Sequence, residues 1–116
     1  MSDNQPAAQP NANDVLASLA SAADAARQVY LVALAANPGA DLSQLYVAEM
    51  KALALWSDAQ DKALNNDNAI AAAQSNLDAA TQTIRNALST IKDISTWATL
   101  ANNLVQLATT VAKFFP

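Results

Sequence analysis

Apolar and polar positions along the chain fall into four stretches of helical period separated by short breaks. In the first, Leu16, Leu19, Ala23, Ala26, Tyr30 and Ala33 or Leu34 recur at three- and four-residue spacing, which predicts a helix over about 14–36. Asn37-Pro38-Gly39 ends it, because the residue before a proline is pushed out of the α region and glycine accepts the left-handed conformation of a helix stop. Asp41, with Gln44 three residues on, reads as a capping pair for a second helix over about 42–64. The run Asn65-Asn66-Asp67-Asn68 carries short polar side chains that compete for backbone hydrogen bonds, and so predicts a turn.

The third stretch has the cleanest period. Ile70, Leu77, Ile84 and Ile91 recur every seven residues, with Ala73, Ala80, Ala87 and Ile94 between them, which predicts a helix over about 68–92. Beyond it Trp97, Leu100, Leu104, Leu107 or Ala108, Val111 and Phe114 form a stripe out of phase with the first, giving a fourth helix over about 95–114 with capping groups in Lys92-Asp93-Ile94-Ser95. An alternative joins the last two into one helix over 68–115, about 70 Å long at 1.5 Å per residue, which a chain of this size could cover only by assembling. Four helices of similar length with short connections predict an all-α, up-down-up-down antiparallel bundle.

Residues 1–12 hold two prolines and no periodic pattern, so they read as a flexible arm ahead of one helical domain over 13–116. They lack a basic stretch followed by an apolar one, and no secretory signal is expected. Alanine supplies about a quarter of the 116 residues, and charged residues 14% against a usual ~25%. With no His or Cys, the chain lacks the usual general base, thiol nucleophile and commonest metal ligands. Neither catalysis, nor a metal, nor a cofactor is expected. Asp58, Asp61 and Lys62, with Glu49 and Lys51 a turn or two earlier, form the densest polar cluster, and it reads as a solvated face. A net charge of −4 with scattered Lys and Arg argues against nucleic-acid binding.

Two helices are apolar on more than one face. Ala52-Leu53-Ala54-Leu55-Trp56 point in every direction round the axis, and Val29 to Ala36 do the same. A fully buried Leu returns ~1.5–3 kcal/mol and an Ala methyl much less, so an Ala-rich monomer is marginal and gains from burying a second face. This points to self-association, with Leu45, Tyr46, Leu53, Leu55 and Trp56 as the contacts. The 94–112 stretch has no charge and leads into Phe114-Phe115, so Trp97, Leu100, Leu104, Val111, Phe114 and Phe115 form a candidate membrane-active segment. Asn102, Asn103 and Gln106 in its middle make a permanent transmembrane helix unfavourable and restrict membrane contact to a conditional one.

Around the second helix the chain resembles a known family. Pro38, Leu45-Tyr46 seven residues later, the small and aliphatic run Ala52-Leu53-Ala54-Leu55, then Asp58-Ala59 and Asn65-Asn66 look like the pattern of the R-body proteins, the killing-trait or Reb proteins of bacteria. The likeness covers about residues 37–66, and Asp58 stands where that family favours Asn. The resemblance implies a small helical subunit, polymerising with itself and with paralogous subunits into a ribbon coiled in the bacterial cytoplasm. Such a ribbon extends and disrupts membranes, often on acidification. Without His, an acid trigger would fall to carboxylates such as Glu49, Asp58, Asp61 and Asp78. Two other readings fit the residues: a secreted, pore-forming membrane-active protein, and a small soluble binding or adaptor bundle.

Overall fold

The computed structural model describes residues 10–90 and 93–116. It is an all-α bundle of α1 (Ala12–Ala36), α2 (Ser43–Gln60), α3 (Ile70–Ala87) and α4 (Ile94–Ala112), with no strand among the described residues. The expected flexible arm falls mostly at residues 1–9, and Ile91 of the heptad stripe at 91; both lie outside the described residues.

Helix α1 starts two residues earlier than its periodicity suggests, because Asn11 caps it: its side-chain oxygen accepts the Asp14 N–H at 2.8 Å. Asp41 does accept a backbone N–H before α2, but from Ser43 at 3.0 Å, and the reciprocal Gln44 half of a capping box does not form. Helix α2 stops at Gln60 rather than 64. Leu64 then turns in to pack against the core, and the Asn65 N–H bonds the Phe114 carbonyl at 2.7 Å, drawing the chain off the helix axis. The merged third helix is overturned. The chain turns over 88–90, Asp93 is extended (ψ 124°), and its carboxylate gathers the hydroxyls of Ser95 and Thr96 at 2.6 and 3.0 Å at the start of α4.

The helices run up, down, up, down. Gln74 donates to the Asp14 carbonyl and the Ser18 hydroxyl, and Arg85 reaches the Ser21 carbonyl and Asp24, so α3 lies alongside α1 and parallel to it. Both α1 and α4 pack against all the other helices, whereas α2 and α3 do not touch. The cross-section is therefore a rhombus with α1 and α4 on its short diagonal, and the molecule is flat, 57 × 29 × 16 Å.

This arrangement explains where the core sits. Helix α1 is enclosed on three sides and buries Val15, Leu19, Ala22, Ala25, Val29 and Ala33, its alanines allowing close helix approach. From α4 come Trp97, Ala101, Leu104, Ala108 and Val111, and from α3 Ile70, Leu77 and Ile84, the seven-residue stripe read from the sequence. Thr81 joins that buried stripe because its hydroxyl donates to the Leu77 carbonyl at 3.0 Å. The buried indole N–H of Trp97 has no hydrogen-bond partner.

A candidate protein-interaction face on the first helical hairpin

Because α2 and α3 flank the central pair without meeting, each packs against two helices and leaves an outer side to solvent. They fill it differently. On α3 the outer positions are polar or alanine, among them Asn76, Asp78, Gln82 and Asn86. On α2 they include, beside polar ones such as Lys51, Ser57 and Asp58, Tyr46, Val47, Met50 and Leu53, each 40–49% exposed, and Leu31 and Leu34 near the end of α1 are exposed to the same degree. Spacings of three, four and seven residues place Tyr46, Met50 and Leu53 on one stripe of α2, and Leu31 and Leu34 are one turn apart on α1.

Part of this set lines the outer seam between the two helices, while Val47 lies on the far side of α2, in a groove with Asn102 of α4. Tyr30 and Leu34 on α1 line a groove with Leu42 and Tyr46 of α2, and the two tyrosine rings stack tilted at 5.6 Å. One turn to two turns further along, Ala20, Ala23 and Arg27 face Glu49, Leu53 and Trp56 across the same seam. Asp24 lines the groove as well, with its carboxylate 3.2 Å from Arg85 of α3.

The residues singled out in the sequence separate in space. Tyr46 and Leu53 are exposed on this seam and Trp56 half-buried in it. Leu55 is half-buried on the other side of α2, in a groove against Thr109 of α4 and Phe115 beyond its end. Leu45 is a core residue of its own chain, 1% exposed, and is not available at a surface. The face adds Leu31, Leu34 and Met50, and the far side of α2 adds Val47, none of them singled out from the sequence. For the first two the signal existed in the all-round apolar run from Val29 to Ala36. Met50 was legible only as part of the stripe it shares with Tyr46 and Leu53, and Val47 lies off that stripe.

Of the segment read as membrane-active, Trp97, Leu104, Val111 and Phe115 lie in the core, with Leu100 and Phe114 half-buried. No helix among the described residues is long and apolar enough to cross a membrane. Asp58, Asp61, Lys62 and Asp78 are solvent-exposed, and Glu49 is half-buried in the seam. Among the described residues no three carboxylates gather where they could hold a metal ion. Comparison with protein-family models, curated proteins and solved structures finds no match to this chain.

Proposed function

We propose that the protein is a non-enzymatic helical subunit that assembles with its own kind, using the α1–α2 face as an interface. The observation that carries this reading is the contrast between the two flanking helices. The exposed positions of α3 hold only polar residues and alanine, whereas those of α2 include Tyr46, Val47, Met50 and Leu53 beside polar ones such as Lys51 and Asp58. A contiguous apolar surface of this kind on a soluble bundle marks a partner site. The low proportion of charge, 14%, leaves little else to keep such a face in water.

The likeness of residues 37–66 to the R-body proteins supports the polymeric form of this reading, a cytoplasmic ribbon of this subunit with paralogous ones, acting by disrupting membranes. Burial of Trp97, Leu104 and Val111 weighs against the reading in which α4 enters lipid on its own, because the bundle would have to open first. Negative-stain electron microscopy of the heaviest fraction of purified protein tests the polymeric form, which requires ribbons or sheets there. Leakage of liposomes by monomer, with no larger species, would contradict it and favour a membrane-active monomer.

A further inference from the structure

The walls of the α1–α2 seam are unlike, and unlike in a way that suits their own image. At one level the α1 wall offers Ala20, Ala23 and the Asp24 carboxylate, which is paired with Arg85, while the α2 wall carries Leu53 and Trp56. Arg27 on α1 and Glu49 on α2 line the same stretch without forming an ion pair with each other; among the described residues the chain's ion pair is Arg85 with Asp24. Beside the Asp24 carboxylate held by Arg85, the seam thus has Arg27 on one wall and Glu49 on the other, a hollow on one and bulk on the other.

Building on the self-association proposed above, we infer that the occupant of this groove is a second copy of the chain, docked about a two-fold axis that lies along the seam. Such an axis keeps each residue at its own level and exchanges the walls, so α1 of one copy crosses antiparallel onto α2 of the other. Leu53 and Trp56 then meet the alanine hollow twice, and Arg27 of each copy faces Glu49 of the other, the reciprocal contact that defines a two-fold interface. The patch carries no net sign from Arg27 and Glu49, which suits a like copy better than a strongly charged partner. Its five half-exposed large side chains, Leu31, Leu34, Tyr46, Met50 and Leu53, present roughly 400 Å² of apolar surface, to which the flanking alanines and polar rim add toward the ~800 Å² per partner of a stable interface.

The test uses the full chain with Arg27→Glu and Glu49→Arg, singly and mixed in equal amounts, followed by sedimentation with circular dichroism to check helicity. Each single variant places like charges opposite one another twice, and its self-association is expected to weaken by about tenfold or more. In the mixture both pairs re-form between unlike copies, so association returns to within about threefold of the wild type. Both variants stay net negative, since the parent charge is −4, and bulk attraction therefore does not account for such a rescue. Single variants that associate as well as the wild type, or a mixture no tighter than its components, overturn the two-fold arrangement while self-association itself stands. A wild-type chain that sediments only as a monomer overturns both.

Discussion

Leu104 is fully buried on α4 in a core built largely of alanine, where few neighbouring side chains are long enough to move into a gap. Leu104→Ala is therefore expected to lower the unfolding free energy by about 2–4 kcal/mol, read as a fall in the urea midpoint with little change in slope. Asp93 acts through electrostatics instead. The Ser95 hydroxyl, and after it that of Thr96, hold its exposed carboxyl below the ordinary aspartate value. A lowered folded-state value stabilises the fold above the ordinary value of 3.8 and loses that contribution as pH falls through the folded value. The stability advantage of the wild type over Asp93→Asn should accordingly be level at neutral pH and shrink in acid below about pH 4, measured by thermal melts across pH. Inward residues of α3 were legible because a seven-residue period of Ile and Leu contrasts with polar neighbours. Thr81 was not, because its burial depends on a local bond to the Leu77 carbonyl that periodicity does not reveal. Leu45 was misplaced for the opposite reason: with apolar residues both inward and outward on α2, little polar contrast marks which side is which.

At the scale of elements, the stops written in local chemistry were readable and those imposed by packing were not. Asn37-Pro38-Gly39 ends α1 where expected, with Gly39 at φ +81°. A Cβ added there meets nothing within 4 Å, so the cost of Gly39→Ala is backbone strain alone, about 1–2 kcal/mol in a denaturation experiment, and Gly39→Asn costs less. The early end of α2 comes from Leu64 and from the bond between Asn65 and Phe114, both set by the far end of the chain. The end of α3 at Ala87 has the same character: its heptad pattern continues on paper, but the turn over 88–90 lets α4 fold back between α2 and α3.

For the whole molecule, the decisive feature is the rhombic packing, since it turns two helices outward and leaves an apolar stripe on one of them. The sequence indicated an all-α bundle with surplus apolar faces on its first two helices. It could not show which of those faces the rhombus would leave open, because that depends on α2 and α3 being held apart by the α1–α4 pair. If the α2 face is an interface, Leu53→Glu should reduce self-association sharply while leaving helicity and melting of the subunit nearly unchanged, because the side chain is 40% exposed. The most direct measurement is sedimentation velocity of the wild-type chain over a wide concentration range at neutral pH, with Leu53→Glu beside it. Self-association predicts species of at least twice the 12.1 kDa subunit mass, reduced in the variant. A single 12.1 kDa boundary at every concentration for both proteins would contradict it.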